Sequence, residues 1–240
     1  MEFRRQVILF SVLAAVDLCL AAGLAGSIRM WRGTGSFPGE KTERAESVSS
    51  DMPEQRTGTV ALTFDDGPDP VFTAELLDGL KERGVSASFF LIGDSAEKNR
   101  DLVRRIHDEG HLVGVHCMKH GDLTKETVEE ASKELEKTRE CLLEITGSRP
   151  EYVRPPYGAW NQSLEDAVDM EPVLWTVDSL DWKLQDPDRV AARVLKTVKD
   201  GDIILMHDGF SSSVEAAFRI VDNLQARGYT FVTVDELMID

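Results

Sequence analysis

Cysteine is nearly missing from this chain: three residues in 240. Cys19 sits in an apolar run near the N-terminus, so only Cys117 and Cys141 are left to pair. Two thiols do not make a disulfide framework, and two free or buried thiols is the preferred reading. Positive charge is short as well. Lys and Arg number 27 against 43 Asp and Glu, a net charge of −16. The two signs balance up to Gly58, so the whole excess falls on residues 59–240. No basic footprint remains there, which excludes nucleic acid as a partner and strong attraction of that part to an anionic membrane surface. Repeats and low-complexity tracts are also lacking from the folded part.

What is present begins with an apolar content of 42%, ordinary for a globular protein and enough for a sizeable core. The length fits one domain with accessories. Arg4 and Arg5 precede an apolar stretch from Val7 to Ile28 whose only charge is Asp17. The stretch is long enough to span a bilayer, and the arginines place its N-terminus in the cytoplasm and the rest outside. Two readings stand for residues 1–30. One is an uncleaved signal-anchor, which is preferred. The other is a signal peptide with small residues for cleavage at "GLAG". Asp17 costs an anchor about 3 kcal/mol. Residues 31–57, rich in Ser, Thr, Glu, Gly and Pro, read as a flexible linker.

From residue 58 to 238 short apolar runs alternate with amphipathic segments. The expected strands are Thr59–Phe64, Val85–Ile92, His111–Val115, Glu151–Arg154, Pro172–Val177, Asp202–His207 and Thr230–Val234. Between them the pattern predicts a helix capped by Asp69 and stopped at Gly84, and one over Ala96–Glu109. Others run from Lys125 to Thr146 with Thr124 as cap, near Leu164–Val168, from Asp186-Pro187 to Lys199, and over Val214–Arg227. Seven βα units imply a parallel sheet covered by helices, closed into a barrel or left open.

The polar residues collect at the C-terminal ends of these strands. Asp65 and Asp66 follow the first strand, His116 and His120 the third, Arg154 ends the fourth, Asp178 and Asp181 follow the fifth, and His207 ends the sixth. Barrels and open α/β sheets build active sites on that rim. Two imidazoles and a carboxylate suit zinc with one position open for water. Such a cation lets adjacent carboxylates both stay ionised, so Asp66 can be a ligand while Asp65 stays available as a base. His207 is a second acid/base candidate, its protonated form favoured by a carboxylate neighbour.

In sequence order, "TFDDGP", "HCMKH", "RPPYG", "DSLDW" and "ILMH" resemble the five motifs of the polysaccharide deacetylase family (carbohydrate esterase family 4, the NodB homology domain). The resemblance covers about Gly58 to Leu237. It implies a distorted (β/α) barrel of seven strands, here preceded by an N-terminal transmembrane helix and a linker. It implies that Asp66, His116 and His120 hold a divalent metal, usually zinc. Asp65 is then general base, His207 general acid, and Arg154 positions Asp65. Asp181 steadies Arg154 or His207, Trp182 walls the acetyl pocket, and the Tyr157 backbone N–H supports the oxyanion. The expected protein is a monomeric deacetylase tethered on the extracytoplasmic face of the membrane and acting on N-acetylated glycan. Peptidoglycan N-acetylglucosamine is the leading substrate, with chito-oligosaccharides and acetylxylan as alternatives. An inactive wall-binding protein is the reading from a different class.

One departure from the family pattern is Cys117, where Ser or Thr usually follows the first histidine; it is read as a tolerated loop substitution rather than a ligand. His107 reads as solvated, His111 as packing or capping, Trp175 as core, and Glu129, Glu130, Glu134 and Glu136 as an exposed helix face.

Overall fold

The computed structural model describes residues 57–239. The apolar segment, most of the linker and the boundary between them lie outside these residues. Among the described residues no helix is long and apolar enough to cross a membrane.

All strand pairs are parallel. The strands are β1 (Gly58–Asp65), β2 (Ser88–Ile92), β3 (Leu112–Cys117), β4 (Tyr152–Val153), β5 (Glu171–Pro172), β6 (Val177–Asp178), β7 (Ile203–His207) and β8 (Tyr229–Val232). Their order across the sheet is β5-β4-β3-β2-β1-β7-β6, and β8 pairs with the first half of β1. The helices are α1 (Phe72–Arg83), α2 (Gly93–Lys98), α3 (Arg100–Asp108), α4 (Val128–Thr146), α5 (Gln162–Ala167), α6 (Asp181–Leu184), α7 (Pro187–Thr197), α8 (Ser211–Ala226) and α9 (Val234–Ile239). The sheet curls into a half-barrel.

The expected fifth strand is where architecture and expectation part. Residues 172–177 form no continuous strand. Glu171–Pro172 pairs with β4 at one edge of the sheet, and Val177–Asp178 pairs with β7 at the other. The segment between them crosses from edge to edge. Pro172 has no N–H to donate, and Leu174 and Thr176 are exposed, so a two-sided ladder has nothing to hold it there. The seven-stranded barrel is corrected to a curled sheet whose two edges are bridged by one irregular stretch. The expected helix over residues 96–109 is likewise two. Asn99 leaves helical geometry, and its side-chain amide donates to the Ser95 carbonyl at 3.0 Å.

Elsewhere local chemistry and element agree. The Asp69 carboxylate accepts the N–H groups of Val71 and Phe72 at 2.8 and 2.9 Å in the turn that leads into α1, whose N-cap is Val71 and not Asp69, and the helix ends at Gly84 in the left-handed region (φ 63°). In α4, Ala131, Leu135, Thr138, Arg139, Leu142 and Ile145 are buried at three- and four-residue spacing, the stripe that docks a helix on a sheet. Its cap is Thr127 with Glu130 in a capping box. Thr124 and Lys125 fall in a preceding 3-10 turn, so the expected start lies a turn too early. Phe64 of β1 stacks on Phe89 of β2 at 5.3 Å within the main core.

Candidate active site

Register brings the chemistry together. On neighbouring strands, Asp65 of β1 pairs with His207 of β7. On the far side of β2, Val115 of β3 pairs with Val153 of β4, which sets His116 beside Arg154. The Arg154 N–H donates to the Val115 carbonyl at 2.8 Å. The five strand ends named above meet on one rim.

Asp65 is 4% exposed, and Arg154 is wholly buried with its Nη1 2.9 Å from Asp65 Oδ1. The same Nη1 donates to Thr63 Oγ1 at 2.6 Å, and Nε donates to the Val173 carbonyl at 3.0 Å. The guanidinium lies over Phe90 at 4.2 Å. Burial pulls the Arg154 pKa down while Asp65 pulls it back, and the group is a fixed cation that holds Asp65 in one orientation. Val173 belongs to the edge-to-edge stretch, so that irregularity supplies an acceptor to the site.

Asp66 Oδ1 lies 3.3 Å from His116 Nε2 and 3.2 Å from His120 Nε2. These three ligand atoms lie within 4.8 Å of one another. The His116 Nδ1 is 2.6 Å from the Arg154 carbonyl, which can only accept, so Nδ1 carries a proton and Nε2 is the nitrogen turned to Asp66. Asp66 Oδ1 is buried with no hydrogen-bond partner. An orphaned carboxylate oxygen facing two imidazole nitrogens is the donor set of a divalent cation, and the carbonyl behind His116 is the outer partner such ligands normally have. Burial raises the Asp66 pKa, but His116, His120 and His207 outweigh it and hold the carboxyl below its ordinary range.

Between the two histidines, Cys117 is fully buried, and its Sγ accepts the His120 N–H at 2.8 Å. Burial pushes its pKa up to about 12, and the cluster of candidate ligand atoms formed by Asp66, His116 and His120 does not include its sulfur. Its contact with His120 N helps to hold the loop between the two histidines. Glu134 of α4 accepts from Met118 N and Lys119 N at 3.0 and 3.3 Å, so this glutamate fastens the loop instead of standing on a free helix face.

Asp181 contacts His207. Its Oδ1 is 2.8 Å from His207 Nδ1, and Oδ2 accepts the His207 N–H at 2.7 Å. Of the two partners expected for Asp181, these are the contacts the structure contains. Burial lowers the His207 pKa, but the hydrogen bond and charge of Asp181, with Asp65 and Asp66 behind it, raise it to about 9. Asp178 accepts Leu180 N at 2.8 Å in a local turn and stands apart from the histidine.

Tyr157 lies in the 3-10 turn Pro156–Gly158, edge-on to His120 at 4.9 Å, and its side chain is largely exposed. Trp182, in the first turn of α6, is half exposed, and its backbone N–H donates to Asp181 Oδ1 at 2.9 Å. Trp175 is not core: it is half-buried, 6.0 Å from the Arg154 guanidinium and packed close to Gly158. Among the described residues, five besides glycine have positive φ, and four of them are Asp66, His120, Tyr157 and Leu180. Each is a ligand candidate, the expected oxyanion donor, or the neighbour of Asp181. Such conformations cost about 1–3 kcal/mol each and collect where function requires them.

Residues 53–171 match the family profile described as polysaccharide deacetylase. A peptidoglycan deacetylase of solved structure, PdaC from Bacillus subtilis, is 38% identical, with 78% of this chain covering 92% of that one at a TM-score of 0.74. The chain belongs to the polysaccharide deacetylase family. A family 4 acetyl xylan esterase from Clostridium thermocellum, solved with a cobalt ion, is 33% identical over 75% of this chain and 90% of that one, with a TM-score of 0.72. The peptidoglycan-N-acetylglucosamine deacetylase PgdA of Listeria monocytogenes is 39% identical over 188 residues, 78% of this chain. The match spans only 40% of that protein's length.

Sequence reasoning missed Thr63, Val173, Glu134 and Asp208. The first two act through a hydroxyl and a carbonyl that no motif marks. Glu134 looked like any helix-surface glutamate. Asp208 had a signal, since it directly follows His207.

Proposed function

We propose that the chain is a metal-dependent deacetylase that hydrolyses N-acetyl groups of cell-wall glycan, with peptidoglycan N-acetylglucosamine as its substrate. The observation that carries this reading is the orphaned Asp66 Oδ1 between two imidazole nitrogens, beside an Arg154-bound Asp65 and an Asp181-bound His207. A divalent cation held by Asp66, His116 and His120, zinc by the chemistry of its donors, would supply Lewis acidity toward a water and the acetyl carbonyl.

The chain's own groups do the rest. Asp65, held by Arg154, takes the proton of the attacking water. The Tyr157 N–H supports the oxyanion as the carbonyl becomes tetrahedral. His207, kept protonated by Asp181, gives its proton to the departing amine. Trp182 stands against the acetyl methyl. The base and the acid sit on neighbouring strands in register, as a reaction needing proton removal at one end of the amide and proton delivery at the other requires.

Peptidoglycan is favoured over acetylxylan and chito-oligosaccharides because the relatives named above include two peptidoglycan deacetylases. The Arg4–Arg5 pair and the apolar run behind it support a tether that faces the wall. The test is acetate release by the zinc-loaded full chain from peptidoglycan, chito-oligomers and acetylxylan, with and without chelator. Chelator-sensitive release from peptidoglycan is expected. Asp65→Asn should lose at least about 100-fold in turnover while keeping its metal. Release from peptidoglycan unaffected by the chelator, or an active Asp65→Asn, would overturn the reading.

A further inference from the structure

Asp208 is a carboxylate out of place. It is 1% exposed, and its Oδ1 has no hydrogen-bond partner. Its Oδ2 accepts the hydroxyl of Thr73, a fully buried residue of α1. That hydroxyl in turn accepts the Asp69 N–H at 2.7 Å. Burying a carboxylate with so few donors costs several kcal/mol by general estimates, so something must favour its being there.

What it touches is the loop that follows Asp65 and carries Asp66. A Cβ placed on Gly67 would stand 2.4 and 2.6 Å from the two Asp208 oxygens, so the carboxylate occupies the space a side chain would need. On its other side the loop is tied to β2, where Ile92 N donates to the Gly67 carbonyl at 2.9 Å. Asp208 itself follows His207 at the end of β7. One buried group therefore connects the strand bearing the candidate acid, the loop that follows the candidate base and carries the candidate ligand, and the start of α1. Burial, with the charges of Asp66 and Asp69 adding and the Thr73 hydrogen bond opposing, lifts its pKa to about 7.

We propose that Asp208 is a positioning residue for the reaction: wedged against Gly67 and tied to Thr73, it sets where Asp65 and Asp66 stand relative to His207. It acts through shape and one hydrogen bond and touches no reacting atom. The inference rests on the deacetylase reading above.

The test compares Asp208→Ala, Asp208→Asn and Thr73→Val in the full chain. Zinc affinity is read by competition with a chelator, and kcat and KM are read at saturating zinc. Asp208→Ala is expected to weaken zinc binding about 10- to 100-fold, the usual effect of losing an outer partner, and to lower kcat at least 10-fold with KM within about twofold. Asp208→Asn keeps the shape and an acceptor for Thr73, so it should recover both to within about threefold. Zinc affinity and kcat of Asp208→Ala within threefold of the parent would overturn the proposal. So would equal damage from Ala and Asn, which would make charge and not position the cause. Should Asp208→Ala fail to fold, Thr73→Val decides: a threefold or larger loss in both readouts supports the proposal, and no change overturns it. A parent chain that binds no zinc would instead sink the deacetylase reading itself.

Discussion

At the scale of single residues, the proposed mechanism requires His207 to hold a proton when the amine departs, and Asp181 is the group that favours it. The imidazole is 16% exposed, so burial alone would strip its charge, and the bond to Asp181 reverses that. Asp181→Asn removes the hydrogen-bonded charge and leaves burial opposed only by the more distant Asp65 and Asp66, so the pKa should fall from about 9 toward the ordinary 6.5. An NMR titration of the metal-free protein reads this directly. The acid must be protonated, so activity is lost as pH rises through its pKa. The alkaline limb of the kcat/KM profile should therefore move to lower pH in Asp181→Asn. A bound cation pulls both limbs down but leaves their order. Stability follows the same sign. A histidine whose folded pKa is raised adds stability that is full below pH 6.5 and is lost as pH climbs through about 9. The metal-free parent should thus lose its stability advantage over Asp181→Asn across that window. An unmoved limb and parallel stability curves would refute the pairing. Residues of this kind were legible in the sequence, because Asp, His and Arg at strand ends carry chemistry by type. Which of them Asp181 meets was not, since Arg154 and His207 lie on strands far apart in sequence and only the sheet order sets their places.

At the scale of elements, apolar runs bounded by Gly and Pro marked β1, β2, β3 and β7 because those strands are buried and ladder-paired along their length. The same signal misled at residues 172–177. "PVLWTV" has strand composition, yet its two ends pair with different strands, and no local pattern encodes an edge-to-edge crossing. The "HCMKH" loop was likewise legible in its histidines and not in its support. That support comes from α4, where Glu134 accepts two N–H groups from the three residues between the ligands. Glu134→Ala should leave those donors to water and slacken the spacing of His116 and His120, weakening zinc binding about 10-fold. Glu134→Gln retains an acceptor oxygen and should stay within about threefold of the parent. Chelator competition on the two variants checks both. The capping box and buried stripe of α4 are untouched, so the two should melt within a few degrees of the parent, and an Ala variant with full zinc affinity would show that the loop holds itself.

For the whole domain, the candidate ligands come from the ends of β1 and β3, which never pair because β2 lies between them. A cation held by Asp66, His116 and His120 therefore ties two strands whose link otherwise passes through a third. The three-ligand site exists in the folded chain alone, because Asp66 lies some 50 residues from His116 along the sequence, so zinc favours the folded state. Zinc at about 100 times its dissociation constant then adds about 2.7 kcal/mol. For a domain of this size each kcal/mol is worth about 2–4 °C, so the Tm should rise roughly 5–10 °C and return when chelator is added. The acidic surface complicates the reading, since a net charge of −16 gathers divalent cations on folded and unfolded chains alike. His116→Ala separates the two effects. It keeps the acidic surface and loses one ligand, so whatever shift remains in it is the diffuse part. The measurement that decides is the difference between the two shifts. A parent that gains several degrees more than His116→Ala places the cation in the triad, and equal shifts would put it on the surface and leave Asp66 Oδ1 unexplained.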